Sequence, residues 1–442
     1  MLRRVSEVPD MTGACVRIAD ASFPAPFASG LEYSSPARGT WNIVHTGMLI
    51  PEAHEIFVCA AGCLRGVVLT AAEMNAMDRF STVAVREHNL LDGDMEELVI
   101  EGVSDILHKL PKLPPAVLVY TSCVHHFTGC DLGYIYGELR ARFPDVDFTD
   151  CYMNPIMRKS GLTPDQLMRA RLYDLLKPRQ IDPKAVAIIG NDLPTRDNSD
   201  LMRYLRAQGL RVHEITACKT YDEYQAMAES AFYISYYPAA AAGGDILSER
   251  LGGKHIYLPF SFDYDEIERG LCCLADVLGA DRPDFSGKRA ACEQALAETL
   301  ALIGQTPIAI DYTYCPRPLG LALLLLQAGF RVERVYLDSI SGEEKTTFER
   351  LRERYPELTL YPTVHAKMRF HSPKGKSRFL AIGQKAAHFT NTDHFVNVVE
   401  GGGMFGYEAI LDTLEAMKDA YLYEKDMRRL VQAKGLGCAC CL

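Results

Sequence analysis

Two stretches of the 442-residue chain decide its fold: VAIIG at positions 186–190 and TPIAI at positions 306–310. Each is an apolar run followed by a polar loop, an amphipathic segment and a second apolar run. The first copy ends in YLRAQGLRVHEI (204–215), and the second ends in LLLQAGFRVERVYL (324–337). The offset between the copies, 306 minus 186, is 120 residues. The pattern therefore predicts a repeated strand–helix–strand unit.

A third copy precedes these two. It starts with AVLVYTSC (116–123), continues through a predicted helix from Leu132 to Arg142 and ends on the strand-like VDF (146–148). Repeated units of this kind build parallel sheets with helices on both faces. The predicted fold class is therefore α/β, with three Rossmann-like domains. Their predicted boundaries are 1–180, 181–285 and 286–403, followed at 404–442 by a returning C-terminal helix and a Cys-rich tail.

Helix start signals and linkers support these boundaries. Thr163-Pro164-Asp165-Gln166 is a capping box with proline at the first helical position, and it predicts a helix running to about Lys177. KPRQIDPK (177–184) and DRPDFSGK (281–288) are the predicted linkers. After the glycines at 401–403, a final helix is expected from about Tyr407 to Lys418, continuing toward Leu430.

Composition narrows the class of protein. Apolar residues make up 48% and charged residues 24% of the chain, as in ordinary globular proteins. The net charge of -10 and the lack of a basic stripe argue against a nucleic-acid partner. Neither a signal peptide nor a membrane span is visible, so the expected location is the cytoplasm, without a membrane partner.

Cysteines mark the places where chemistry is expected. In a reducing compartment, clusters among the 14 cysteines indicate metal binding or catalysis more often than disulfides. In open parallel sheets ligands bind beyond the carboxyl ends of the strands. The loop TSCVHHFTGCD (121–131) follows such a strand, and FVCAAGCLRGVV (57–68) precedes a predicted helix whose N-terminus would favour an anionic cluster. Two buried core cysteines are the alternative for Cys59 and Cys63.

An iron–sulfur cluster usually needs four thiolate-type ligands. Cys63 and Cys123, with Cys59 or Cys130, could hold most of one cluster. A cluster that shares ligands across a subunit interface fits this scattered supply better. His125 and His126 are candidate proton carriers nearby, although a solvent-facing position is the simpler expectation for both. Cys272, Cys273 and Cys292 lie in predicted helices and are expected in the core.

The chain resembles the nitrogenase component 1 family, which includes nitrogenase and nitrogenase-like reductases. VCAAGC (58–63) resembles the family's HGxxGC segment, and CVHHFTGCD (123–131) matches the spacing of its CPxxxIGDD segment. The resemblance continues through IIGNDLPTRDNSDLMRYLRAQGLRV (188–212) to GMFGYEAILDTLEAM (403–417). It implies an oxygen-sensitive oxidoreductase subunit that forms a homodimer or a heterodimer with a second component 1 subunit. It also implies an interface iron–sulfur cluster, with Cys63 and Cys123 as ligands, that receives electrons from an ATP-dependent iron–sulfur reductase.

Departures from the family pattern refine this expectation. Ser34-Ser35-Pro36 occupies the place of the family's first ligand cysteine, so a simple 4Fe–4S cluster is expected. Cys59 is the expected replacement ligand, and Cys15 is a weaker candidate. YYPAAAAGGD (236–245) and GMFG (403–406) lack the two residues that hold the molybdenum cofactor in nitrogenase, so the expected substrate is not N2 and is otherwise unidentified.

The resemblance also implies a cavity for a substrate or for a second metal cluster of unknown type. Cys315, Arg317 and Lys385 are the predicted catalytic residues, and Cys151, Asn154 and His388 are further expected lining residues. The alternative for Arg317 and Lys385 is an exposed position on surface loops, and the alternative for Cys315 is packing in a core. The thiols of the C-terminal tail are candidate ligands for a soft metal, or they belong to an unmodified terminus: Cys438, Cys440 and Cys441.

Two other functions remain open at the level of sequence. One is a metallocluster assembly scaffold that hands its cluster on without turnover. The other is a sugar- or nucleotide-binding Rossmann protein without metal, which the two cysteine motifs disfavour.

Overall fold

A computed structural model of the chain describes residues 13–33, 35, 37, 43–153, 164–371 and 375–432. Within this part of the chain the strands form three sheets, and every strand pair but one is parallel. The predicted α/β fold with parallel sheets is therefore confirmed. Ser34, Pro36, Asn154 and the three tail cysteines lie outside the described residues.

The first sheet has the strand order β3-β2-β4-β5. Its strands are β2 (His54–Ala60), β3 (Phe80–Val85), β4 (Ala116–Ser122) and β5 (Asp147–Met153). The helices of this segment are α1 (Ile43–Gly47), α2 (Ala61–Glu73), α3 (Glu87–Asp92), α4 (Met95–Lys109), α5 (Cys123–Thr128), α6 (Leu132–Arg142) and α7 (Pro164–Arg171). Every residue of β4 is buried, because Val117 and Val119 pack into one apolar layer and Leu118 and Tyr120 into the layer on the opposite face.

The second sheet has the strand order β7-β6-β8-β9. Its strands are β6 (Asp182–Ile188), β7 (Arg211–Glu214), β8 (Ser230–Ser235) and β9 (Lys254–Tyr257), and its helices are α8 (Asp200–Ala207), α9 (Tyr221–Gln225) and α10 (Ala241–Leu251). The core residues of β6 are Ala185 to Ile188, and all but Ala185 belong to the apolar run that predicted this strand.

The third sheet has the strand order β1-β12-β11-β10-β13-β14. Its strands are β1 (Val16–Arg17), β10 (Ile308–Asp311), β11 (Val332–Tyr336), β12 (Thr359–Tyr361), β13 (Leu380–Ile382) and β14 (Phe395–Val396). The helices are α11 (Tyr264–Leu278), α12 (Lys288–Ile303), α13 (Pro318–Gln327), α14 (Lys345–Arg354), α15 (Gln384–Thr390) and α16 (Tyr407–Leu422). Strand β1 pairs antiparallel with β12.

The described residues of Met1–Gly39, Thr195–Tyr204 and Pro259–Ala433 form one compact unit, and those of Thr40–Pro194 and Leu205–Leu258 form another. The predicted boundaries group residues 13–37 with the first sheet, whereas the strand of this segment belongs to the third. Pairing with β12 supplies backbone partners to a short N-terminal strand, and no local sequence signal indicates it. The three boundaries themselves stay a prediction.

Several predicted elements are observed. Helix α6 has the predicted bounds, α7 begins at Pro164, and α16 begins at Tyr407. Helix α7 ends at Arg171 rather than near Lys177. No helix in the described residues is long and apolar enough to cross a membrane.

In each sheet the chain first adds strands toward one edge and then returns to add strands toward the other edge. The place between these two directions is called a switch point. These switch points lie between β2 and β4, between β6 and β8, and between β10 and β13. At such a point the loops that leave two neighbouring strands diverge to opposite faces and leave a crevice between them. The switch points of the first and third sheets therefore carry the predicted site residues.

Candidate metal centre

Cys63 and Cys123 flank the switch point of the first sheet. Strands β2 and β4 pair in register, with Val58 opposite Thr121. Cys63 lies in the first turn of α2, directly after β2, and its side chain is exposed. Cys123 is the first residue of α5, directly after β4, and is partly exposed. Both thiols therefore stand at the same carboxyl edge of the sheet and are reachable from outside the chain.

Cys59 lies four residues before Cys63 in the sequence and is deeply buried. It is the penultimate residue of β2 and has 0% exposure. Burial raises the pKa of the Cys59 thiol to about 12, and the neighbouring Cys63 and Cys123 add to the rise. The three thiols are therefore close enough to interact electrostatically, because each of the two accessible thiols raises the pKa of the buried one.

The donor set fits part of an iron–sulfur cluster. Thiolates are the ligands that such clusters need, and usually four are required. In the part of the chain that the structure describes, no group of three or more His, Cys, Asp or Glu residues is arranged to hold a metal ion. Two accessible thiols from one chain fit a cluster whose remaining ligands come from elsewhere, such as a second subunit.

The other two cysteine candidates for this cluster, Cys130 and Cys15, lie close to other side chains. The Cys130 sulfur lies 3.2 Å from the Thr128 hydroxyl at the end of α5, and burial raises its pKa. Cys15 lies close enough to Tyr361 of the third sheet to raise the pKa of that phenol, together with burial and Glu333.

His125 fixes the start of α5 and therefore the position of Cys123. Its Nδ1 accepts a hydrogen bond from the Ser122 N–H at 3.1 Å, while the Ser122 side chain accepts from the backbone of His125, which completes a capping box. The expectation of a solvent-facing residue is wrong for His125, which is 2% exposed, and correct for His126. Ser-x-x-His has the spacing of a capping box, but histidine is not its usual last residue.

Helix α2 beside Cys63 is apolar yet largely uncovered. From Ala61 to Ala72 its only charged residue is Arg65, and within the whole helix only Ala71 and Glu73 are buried. Leu69 is 38% exposed, and on α5 Phe127 is 70% exposed. Exposed apolar surface of this kind next to an accessible cysteine is typical of a surface that a partner covers.

The predicted catalytic residues Cys315 and Arg317 follow β10. Cys315 is completely buried, and burial raises the pKa of its thiol well above the ordinary value. The Arg317 guanidinium is also buried and forms ion pairs with Glu266 at 2.5 Å and Glu343 at 2.9 Å. The alternative of an exposed surface position is therefore excluded for Arg317. Its catalytic role stays a prediction.

Lys385 lies on the other side of the third switch point, in α15, and is 3% exposed. Its Nζ donates to the Ser35 hydroxyl at 3.3 Å and lies 5.6 Å from the centre of the Tyr312 ring. His388 is buried in the same helix, and burial, with the charge of Lys385, lowers its pKa to about 4. A surface position is excluded for Lys385 as well.

The sequence analysis did not single out two buried carboxylates near this switch point. Asp311 ends β10 and accepts hydrogen bonds from the Ala386 N–H at 2.6 Å and the Thr313 N–H at 2.7 Å. Glu344 accepts from the Gly320 N–H at 2.9 Å. Acidic residues in loops are usually solvated, so only the packing around them reveals that they are enclosed.

The remaining cysteines divide between core and surface. Cys292 is buried, as expected, and so is Cys151, where burial raises the pKa well above the ordinary value. The expectation of core positions is wrong for Cys272, which is partly exposed, and for Cys273, which is exposed. Both occupy the solvent side of α11, whose core side is formed by residues such as Ile267, Leu271 and Leu274.

Three largely parallel sheets, of which the first and third carry cysteines at their switch points, define an α/β protein. The sequence profile of the "Nitrogenase component 1 type Oxidoreductase" family matches residues 44–373, which is 330 of the 442 residues. The chain therefore belongs to the nitrogenase component 1 type oxidoreductase family, and the resemblance inferred from its cysteine motifs is confirmed.

Solved structures show the same fold. "Nitrogenase Cp1 at pH 6.5" superposes with a TM-score of 0.64 at 11% identity, covering 89% of this chain and 94% of the other. "Nitrogenase Cp1 at pH 5" gives a TM-score of 0.58 at 11% identity, covering 93% and 94%. No curated protein sequence matches the chain.

Proposed function

We propose that this chain is a nitrogenase-like reductase subunit that passes electrons through an interface iron–sulfur cluster to a substrate other than N2. The observation that carries the proposal is the placement of Cys63 and Cys123 at one switch point, both accessible to solvent and beside the uncovered helix α2. Iron–sulfur proteins of this family work with an ATP-dependent iron protein, which is the proposed electron donor.

Cys63 and Cys123 are the proposed ligands, with Cys59 as the third. This chain then contributes two or three thiolates, and the partner subunit supplies the remaining one or two ligands of a four-ligand 4Fe–4S cluster at the interface. A bound cluster supplies one-electron transfer. The backbone N–H groups at the start of α2, where Cys63 lies, stabilise the negative charge of thiolates near it.

The proposed substrate site is the switch point of the third sheet, around Cys315, Arg317 and Lys385. Lys385 there favours an anionic substrate or a second metal cluster, because a charge in a water-poor site acts more strongly than in solvent, whereas Arg317 is held in place by its ion pairs with Glu266 and Glu343. Alanines 239–242 replace the residue that would hold a molybdenum cofactor, which supports a substrate other than N2.

The proposed cluster is tested on protein purified without oxygen. Wild-type protein is expected to be brown and to carry about four iron atoms per cluster. Cys63→Ala and Cys123→Ala should each lose most of the iron. Cys273→Ala is the matched control, because it removes an exposed thiol from α11. Full iron retention in both ligand variants overturns the assignment.

The proposed interface is tested separately by size-exclusion chromatography with light scattering. Leu69→Glu on α2 should convert the dimer to monomer and release iron. Leu302→Glu on α12 is the control, since Leu302 is 39% exposed and Leu69 is 38% exposed.

An assembly scaffold would give the same iron and dimer results. A scaffold would differ in two outcomes. It would transfer its cluster to an acceptor protein, and it would reduce no substrate when the reductase is supplied.

A further inference from the structure

Two glycines, Gly62 and Gly66, lie on the uncovered face of α2. Together with Leu69 and Ala72 they occupy helix positions that share one side, and all four residues are exposed. Among the described residues, a Cβ at either glycine would meet nothing within 4 Å, and neither glycine has a positive φ. The fold of the described chain therefore does not itself require glycine at these two positions.

Glycine is an unfavourable choice at Gly66, which lies in the interior of α2 (Ala61–Glu73). In a helix interior only proline is less favourable than glycine. What a helical glycine permits is the close approach of another backbone, because small residues at a crossing point let two helices pack nearer than the usual about 8–10 Å between axes. The exposed face of α2 thus has the composition of a helix-crossing surface.

The start of α2 indicates what covers this face. Ala60 provides no side-chain cap, and the first turn of the helix contains no acidic residue, so the N–H groups there suit an anionic cluster. The proposed ligands that solvent reaches, Cys63 and Cys123, number two in one chain. An iron–sulfur cluster usually needs four thiolates. Two copies of this chain supply that number.

We infer that a second copy of this chain covers the face, and that the two α2 helices cross at Gly62 and Gly66 on a two-fold axis. The inference rests on the proposed interface cluster and adds the identity of the partner and the mode of contact. A two-fold axis brings the same patch of both copies together, so small residues meet small residues. Cys63 directly follows Gly62 and lies beside the crossing in both copies. The negative charge of the shared cluster offsets the repulsion between the two helix N-termini.

The test uses the full-length chain, produced without any other component 1 subunit and purified without oxygen. Light scattering and iron analysis should show a dimer that carries iron. Gly66→Leu fills the crossing point and should give a monomer that has lost most of its iron. Gly270→Leu is the matched control, because Gly270 lies within α11 and a Cβ there also meets nothing within 4 Å. Both substitutions introduce a better helix former, so circular dichroism should show two folded variants.

A second variant, Gly66→Cys, measures the approach of the two helices directly. A disulfide forms only when the two Cα atoms come within about 7 Å. Brief oxidation of the dimer should therefore link two copies through Gly66→Cys, but not through Gly270→Cys, and should produce no such link in the wild type.

Three results overturn the inference while leaving the proposed cluster in place. They are a dimer that keeps its iron in Gly66→Leu, a dimer of Gly66→Cys that does not link, and a chain that gains iron only with a different component 1 subunit. Wild-type protein that carries no iron, with or without a second subunit, overturns the proposed function and this inference with it.

Discussion

The carboxylate of Glu344 accepts a hydrogen bond from the backbone N–H of Gly320 at 2.9 Å. Glu344 is 2% exposed, and this burial raises its pKa to about 8, although the Gly320 N–H and the charge of Arg317 oppose the rise. The bond ties the segment before α14 to the first turn of α13, next to Arg317. The protonation state of one buried acid is therefore coupled to the stability of this region.

The first prediction concerns the pH dependence of stability. Because the folded-state pKa lies above the ordinary value of 4.5, the contribution of neutral Glu344 is present below that value and is lost as the pH rises toward about 8. Glu344→Gln keeps the acceptor oxygen and cannot ionise. Between about pH 5 and about pH 8, the wild-type free energy of unfolding should fall relative to the variant by on the order of a few kcal/mol.

Urea unfolding at several pH values measures this difference. Glu353→Gln, at an exposed position of α14, should show no such change relative to wild type. A difference between wild type and Glu344→Gln that stays constant across the pH range would contradict the prediction.

The second prediction concerns Gly383, which has φ +110° and lies against Asp311. A Cβ at this position would be 2.3 Å from Asp311 Oδ2, and that oxygen is held by the Ala386 N–H. Gly383→Ala should therefore destabilise the chain by about 2–4 kcal/mol through backbone strain and displacement of the carboxylate. Gly342→Ala is the control, because a Cβ there meets nothing within 4 Å. Equal stability of the two variants in denaturant unfolding would refute this.

The third prediction separates the structural role of His125 from that of its neighbour. His125→Ala removes the acceptor of the Ser122 N–H and should cost about 1–2 kcal/mol of unfolding free energy. His125→Gln restores an acceptor with capping-box geometry and should recover part of the loss. His126→Ala, at an exposed position, should have little effect. The idea fails if His125→Gln is no more stable than His125→Ala.

The fourth prediction tests Cys59 as the third cluster ligand. Cys59→Ala should lower the iron content of anaerobically purified protein to the level of Cys63→Ala. Cys292→Ala is the control, because Cys292 is also completely buried but lies in α12 rather than at the edge of the first sheet. Iron analysis and denaturant unfolding of both variants distinguish lost ligation from lost packing. Normal iron in Cys59→Ala excludes Cys59 and leaves Cys130 as the further thiol of these two loops beside Cys63 and Cys123.

The fifth prediction tests the proposed catalytic thiol. Cys315→Ser should keep the iron of the interface cluster and the dimer but abolish turnover, or the binding of any second metal group. Iron analysis, light scattering and a turnover assay with the reductase are made on the same preparation. Because Cys315 is completely buried, circular dichroism must first show that the variant folds. Full activity in a folded variant rules out the role.

Local patterns were sufficient for much of the secondary structure and for the loops of the site. The bounds of α6 followed from its place in the repeated strand–helix–strand unit, and the starts of α7 and α16 followed from Pro164 and from the glycines before Tyr407. That Cys63 and Cys123 stand at one edge was decided by the structure, in which β2 and β4 are neighbouring parallel strands.

The surroundings of a side chain were less predictable than the helix or loop that carries it. Cys272 and Cys273 lie in a helix, as expected, but on its solvent side. Arg317 lies in the predicted loop, but its guanidinium is enclosed by Glu266 and Glu343. In each case the deciding contact comes from a residue that is not a neighbour in sequence.

The sequence by itself determined the repeated strand–helix–strand units, the α/β class and the family, because these depend on periodicity and motif spacing within short segments. Only the tertiary structure decided that Val16 pairs with Leu360, that His125 is buried and that α2 is left uncovered. The physical reason is that burial and pairing depend on which surfaces meet after the chain folds. A local pattern of residues sets the shape of an element but does not specify its partner.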